Sequence, residues 1–248
     1  MVDAGGHRVS RISCLLGPGR TGNPGARLGI RTSVRPEDRG PQPLTFAVRA
    51  YILRLVAKLS HREKILTEGL RVVQARGFGG ASVRDIVEAA GVPQGSFTNH
   101  FASKEAFCLE ALDLYFKDVR AMIDRTLRND SLPPVKRLRA FVDAQIKYLN
   151  RIGWQNGCLI GNLSAEASEH SELIRKRLVA IYEEMRQSAA YCLRAAVKVG
   201  ELPRKTECDE LAGFLIASLQ GAILQSKTER NAVPLERFKH LIFSTMLR

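Results

Sequence analysis

From Ser60 onward, apolar residues recur at the three- and four-residue spacing of one helix face along most of the chain. Ile65, Leu66, Leu70 and Val73 form the first stripe, preceded by Ser60 and Glu63 at capping-box spacing. Gly77 is expected to stop that helix. Ser82 and Asp85 open a second, with Val83, Ile86, Val87 and Ala90 on one face, and Gly91 ends it just past the C-cap. Pro93 stands where a short third helix begins, and this one ends near Phe101. Ser103, Lys104 and Glu105 open a long fourth helix over 103–128. Further helices are expected over 134–152, 159–169 and 171–199, the last closed by Gly200. Thr206 and Asp209 are expected to cap another that runs to Lys227, and Pro234 starts the last. No stretch sustains period-two alternation, so the expected fold class is all-α.

One segment breaks the pattern. GVPQGSFTNHF, residues 91–101, collects poor helix formers between two strongly helical regions. Three helices in about forty residues, with a turn at Gly91 to Pro93, is helix-turn-helix spacing. A helix that enters the major groove needs a short-chained polar face toward the bases and an apolar face toward its supports. Val92, Phe97 and Phe101 supply the second. Gln94, Gly95, Ser96, Thr98, Asn99 and His100 are left for DNA. Gln and Asn can pair with adenine through two hydrogen bonds, while Ser, Thr and Gly permit close approach to a phosphate or a thymine methyl. The competing reading is an ordinary surface turn. The flanking three-helix spacing, together with the net charge of +13, weighs against it, although charge alone fits a merely solvated basic surface as well as a polyanionic partner.

Composition narrows the classes further. Five cysteines, Cys14, Cys108, Cys158, Cys192 and Cys208, form no CxxC pair, which argues against a disulfide framework or a zinc site. Reduced thiols, no metal and no cofactor are expected. No phosphate-cradling glycine loop, HExxH pair or nucleophile elbow is present, so no catalytic residues are assigned and an enzyme is not expected. No apolar run approaches membrane-spanning length and no secretory signal is evident, so no membrane association is expected and the expected location is the cytoplasm, on the nucleoid when bound to DNA. Residues 1–58 are a separate segment, rich in Gly, Pro and Arg through residue 45 and without lysine before Lys58. They are expected to be disordered, apart from a short amphipathic helix over 46–58. Two origins are open: a basic arm that touches nucleic acid, or an early start-codon assignment absent from the working protein. The second is favoured.

Residues 62–108 resemble the DNA-binding domain of the TetR/AcrR family of bacterial repressors, through the run REKILTEGLRVVQARGFGGASVRDIVEAAGVPQGSFTNHFASKEAF. The resemblance implies a helix-turn-helix domain over 59–106 and a ligand-binding and dimerisation bundle over 107–248. It implies that Ser82 caps the second helix and stands near a phosphate, and that Lys104 meets the DNA backbone. Gln94 and Thr98 replace the lysine and tyrosine common in the family, so the operator cannot be transferred from relatives. The segment NGCLIGNL, residues 156–163, resembles a subgroup with a GCL motif at its sixth helix, some members of which respond to reactive electrophiles or short unsaturated acids.

The candidates for effector sensing are Cys158, Trp154, Tyr115, Phe141, Tyr148 and Lys227, with ordinary packing the favoured use of most of them. Cys158 lies near a helix N-terminus, where the dipole stabilises a thiolate. The favoured reading is that it is a small buried apolar residue, as most free cysteines are. The last two helices carry apolar faces, Leu211, Phe214, Leu215, Leu219 and Ile223 on one and Phe238, Leu241, Ile242 and Met246 on the other, with Ala217, Gly221 and Ala222 permitting close approach. The family pattern makes them a dimer interface. The implied function is a homodimeric repressor released from double-stranded operator DNA by a small-molecule effector. The alternative is a covalent electrophile or redox switch at Cys158.

Overall fold

The computed structural model describes residues 60–247. The expectations for residues 1–58, including the helix over 46–58 and Cys14, lie outside the described residues. Within them the fold is all-α: nine α-helices, one 3-10 turn and a closing π-turn, with no strand among the described residues.

Helix α1, His61–Gly80, begins at the expected capping box: Glu63 N donates to Ser60 Oγ at 3.2 Å, and Ser60 N donates to Glu63 Oε2 at 2.8 Å. Gly77 does not end the helix outright but kinks it, with φ 78° and ψ 176°. Helix α2, Val83–Ala90, opens on the same device built from Ser82 and Asp85. The hydrogen bonds from Ser82, with help from Arg76, hold the Asp85 carboxyl down at about 2. Gly91 closes α2 in the left-handed region at φ 61°, a conformation that a Cβ disfavours. Helix α3, Gly95–His100, is a single short element, and helix α4, Lys104–Arg125, follows from an N-cap at Ser103.

Helix α5, Pro134–Ile152, leads through a 3-10 turn at Trp154–Asn156 into helix α6, Leu159–Glu166. The long helix α7, Glu172–Lys198, stops before Gly200 at φ 79°. Helix α8, Cys208–Glu229, is not capped by Thr206, whose hydroxyl instead donates to the Pro203 carbonyl at 2.7 Å within the preceding turn. Helix α9, Val233–Leu241, with Pro234 in its first turn, ends in the π-turn Ile242–Met246.

One continuous core runs through the bundle, from Ile65 and Phe107 near the start to Leu235 and Ile242 near the end. Cys108 and Cys192 are part of it, and burial pushes each thiol up to about 12, so both are inert packing residues at neutral pH. The face expected for dimerisation is divided. Leu215, Leu219, Ile223 and Ile242 are buried in the chain's own core, as α8 packs on α7 and α9. The outward stripe of α8 is instead Phe214, Ala217, Gly221 and Leu224, spaced by three and four residues, and on the last helical segment Val233, Leu241 and Met246 are exposed. The apolar residues of α8 therefore serve two faces, which helical spacing alone had merged into one.

Candidate nucleic-acid interface and effector groove

Helix α3 has too few turns to be stable on its own, so its place depends on what it is packed against. Phe97 and Phe101 point inward and meet Phe107 of α4 in a triangle of rings, with centroids 5.4, 5.7 and 5.3 Å apart. All three are buried. Gly69 of α1 is the floor of this seat: an added Cβ would lie 2.6 Å from both Ile86 Cγ2 and Phe107 Cζ. The seat leaves Gln94, Gly95, Thr98, Asn99 and His100 exposed together, and nothing lies within 4 Å of a Cβ built at Gly95.

Ser96 does not belong to that outward set. It is buried, with its hydroxyl 3.4 Å from His61 Nδ1, because it occupies the α3 position that faces the start of α1. A short polar side chain there signals clearance against α1. Ser82 is exposed but committed to its cap, donating from Oγ to Asp85 Oδ2 at 2.6 Å. Lys104, in the first turn of α4, holds its Nζ 4.7 Å above the Phe78 ring. Thr98 donates to the Gly95 carbonyl at 3.1 Å.

The six expected sensing residues do not form one site. Cys158 and Lys227 line an open groove of about 520 Å³ between α6 and α8, together with Asn162, Tyr182 and Gln220. Tyr115 and Tyr148 line a different cleft, between α4 and α5. Phe141 is core: it is buried and borders a void of about 20 Å³, among Leu138, Leu219 and Phe238. Trp154 flanks a shallow surface hollow with Asn231. Tyr115 is the link between the first two, since its hydroxyl donates to Cys158 Sγ at 3.6 Å. Burial raises the Tyr115 phenol well above its ordinary range, so it stays protonated.

Cys158 is the N-cap of α6, as its place before the helix predicts, but it is mostly buried in the groove wall, with Gln220 Nε2 also donating to its sulfur at 3.8 Å. Lys227 does not turn toward the thiol. Its Nζ donates to Asn162 Oδ1 at 2.9 Å. Asn162 in turn donates from Nδ2 to the carbonyls of Gln74 at 3.0 Å and Asn156 at 2.9 Å, and Gln74 Nε2 donates to the Gly157 carbonyl at 2.9 Å. A buried polar chain thus joins α8 through α6 to α1. A second contact parallels it: the Glu166 carboxylate lies where a Cβ on Gly77 would be, 2.2 Å from that position, and accepts from Gly79 N at 3.3 Å. Sequence reasoning passed over Asn162, Gln74 and Glu166. The only signal was polar residues at helix positions that are otherwise apolar.

A three-helix unit with an exposed short-chained α3, followed by an all-helical bundle with an open groove, defines a helix-turn-helix regulator. Residues 65–111 match the family described as bacterial regulatory proteins, tetR family, and residues 134–242 match the tetracyclin repressor-like C-terminal domain. The chain belongs to the tetR family. It is 41% identical to the HTH-type transcriptional repressor DhaR of Mycobacterium sp. (strain GP1) over 192 residues, 77% of this chain and 95% of that protein. It is 32% identical to the transcriptional regulator AcuR of Cereibacter sphaeroides over 73% of this chain and 83% of that one. Among solved structures, the regulatory protein TetR from Rhodobacter sphaeroides superposes with a TM-score of 0.69 at 31% identity, covering 72% of this chain and 94% of that one. The reduced form of E. coli NemR gives 0.66 at 28%, covering 72% and 93%.

Proposed function

We propose that α3 is the DNA-reading element of a homodimeric transcriptional repressor that a small molecule in the α6–α8 groove releases from its operator. The observation that carries this reading is the aromatic seat, which buries one face of α3 and turns Gln94, Gly95, Thr98, Asn99 and His100 to solvent as a group. Two such helices in successive major grooves require half-sites about 34 Å apart. Residues 59–106 act as the DNA-binding part and 107–248 as the ligand-binding and dimerising part, with α4 running unbroken between them. The outward stripe Phe214, Ala217, Gly221 and Leu224, with Leu241 and Met246 nearby in sequence on the last helices, is suited to a self-complementary contact, where Ala and Gly let two helices approach closely. Such a protein works in the cytoplasm.

The covalent alternative at Cys158 is not favoured. Its sulfur is buried and already accepts two hydrogen bonds, and the lysine that could have activated it is bound to Asn162. Reversible occupancy of the groove is the better-supported trigger. A ligand that draws Lys227 or Gln220 toward itself would compete with the polar chain from α8 to α1, and so discriminate between two arrangements of the DNA-binding part. Ligand and operator then weaken each other's binding by equal factors.

A salt series tests the reading directly. Asn99→Ala is expected to cost about 1–3 kcal/mol on the preferred operator and little on random DNA. Lys104→Ala is expected to weaken all sequences alike and reduce the slope of log K against log salt by about one. Fluorescence anisotropy with labelled duplexes reads both, and the reverse assignment of the two effects would remove α3 from the groove.

Gly95→Ala separates folding from recognition. Alanine is the better helix former by about 1 kcal/mol, and its Cβ meets nothing within the chain. Thermal stability is expected to hold or rise while operator affinity falls. Unchanged affinity would show that no duplex approaches this face.

A further inference from the structure

The cleft between α4 and α5 is separate from the α6–α8 groove, and its lining has the chemistry of a site. Its volume is about 250 Å³, room for roughly eight waters at about 30 Å³ each. Gln145 of α5 is 7% exposed and lines it, yet its carboxamide has no hydrogen-bond partner among the described residues. No described side chain competes for that amide, so it is available to whatever occupies the cleft. Around it stand Tyr115 and Tyr148, rings edge-on with centroids 6.2 Å apart, and at the exposed rim Arg125, Arg151 and Asp118. No ion pair joins any of these three to another described residue. Arg151 instead lies 5.6 Å from the Tyr148 ring centre.

We propose that this cleft binds a small molecule through an oxyanion group, a carboxylate or a phosphate, gripped by the Arg125 and Arg151 guanidiniums and completed by the Gln145 carboxamide. Two guanidiniums against one carboxylate leave the rim net positive. The planar guanidinium fork matches the paired oxygens of either anion, and the carboxamide can donate to one of them while its own oxygen accepts from a hydroxyl or amide on the ligand. Desolvation pushes both phenols above their ordinary range, so each stays neutral beside the anion, and Tyr148 can donate to it. Tyr115 also donates to Cys158 in the wall of the groove, so occupancy here would be felt at the effector site without sharing it.

The test uses the full chain, titrated by calorimetry with sodium acetate, sodium succinate and sodium phosphate at constant ionic strength, with sodium chloride as control. At least one oxyanion is expected to bind saturably and raise Tm, and which one does so decides between carboxylate and phosphate. Gln145→Leu and Arg151→Met are each expected to weaken that binding about tenfold or more. Without the anion, Gln145→Leu is expected to melt at an equal or higher temperature, since it breaks no hydrogen bond to a described residue; this keeps a binding loss distinct from misfolding. Lys227→Met, in the groove, is expected to leave the titration unchanged. The proposal is overturned if no oxyanion binds saturably, if binding survives both cleft substitutions, or if Lys227→Met abolishes it while Gln145→Leu does not.

Discussion

Phe107→Ala is expected to lower the unfolding free energy by about 3–5 kcal/mol and to abolish operator binding. Phe107 is fully buried, and its ring contacts both Phe97 and Phe101, so its removal leaves a cavity beneath α3. The six residues of α3 cannot hold their own conformation. Loss of binding should therefore exceed what the stability change alone gives, with protein still folded at low temperature failing to shift DNA. Thermal denaturation followed by circular dichroism, paired with anisotropy well below Tm, distinguishes the two contributions. Operator affinity close to that of the unmodified chain at such a temperature would show that α3 is held by something other than the ring triangle.

Asn162→Leu carries the second large effect, a destabilisation of about 3 kcal/mol. The asparagine satisfies the Gln74 and Asn156 carbonyls and receives Lys227 Nζ, all within a mostly buried setting. Leucine fills similar space but removes three hydrogen bonds, each worth roughly 1 kcal/mol. The loss should be uneven. Amides in α1 near Gln74 are expected to exchange faster with solvent than those in α7, because the broken bonds tie α1 to the bundle. Hydrogen exchange by mass spectrometry reads this, and uniform acceleration across the chain would mean that the polar chain contributes stability without joining the two parts. The double variant Gln74→Leu, Asn162→Leu is expected to be less stable still, since the Gln74 side chain bonds the Gly157 carbonyl while Asn162 bonds the Gln74 main chain, and the second change removes a further hydrogen bond.

Most of the helix layout was legible because local signals agreed with the tertiary fold. Capping boxes at Ser60 and Ser82, the left-handed stop at Gly91 and the proline at the start of α5 act within a few residues, and pattern reading finds such devices. Gly77 was read as an end and proved a bend, because whether a chain resumes its helix after one positive φ depends on a distant partner, here Glu166. The apolar stripe of α8 was misassigned for a similar reason. A helix with apolar residues on two sides has no unique inside until its neighbours are known, and α7 and α9 claimed Leu215, Leu219 and Ile223. Ser96 was misplaced by one position on a six-residue helix, where the inward arc is narrow. The effector candidates were chosen by residue type, and type says nothing about which of four hollows a side chain borders.

Helix α4 has Phe107 in its first turn and Tyr115 midway, with Arg125 at its far end. Its 22 residues span about 33 Å, so a pivot of roughly 5° about the middle carries the first turn sideways by about 1.4 Å. Hydrogen bonds to base edges work within a window of only about half an ångström. Since the ring triangle clamps α3 to that first turn, the reading head must swing with its supporting strut. An angular change too small to alter the outline of the bundle would be enough to put Gln94 and Asn99 out of register with the base edges they would read.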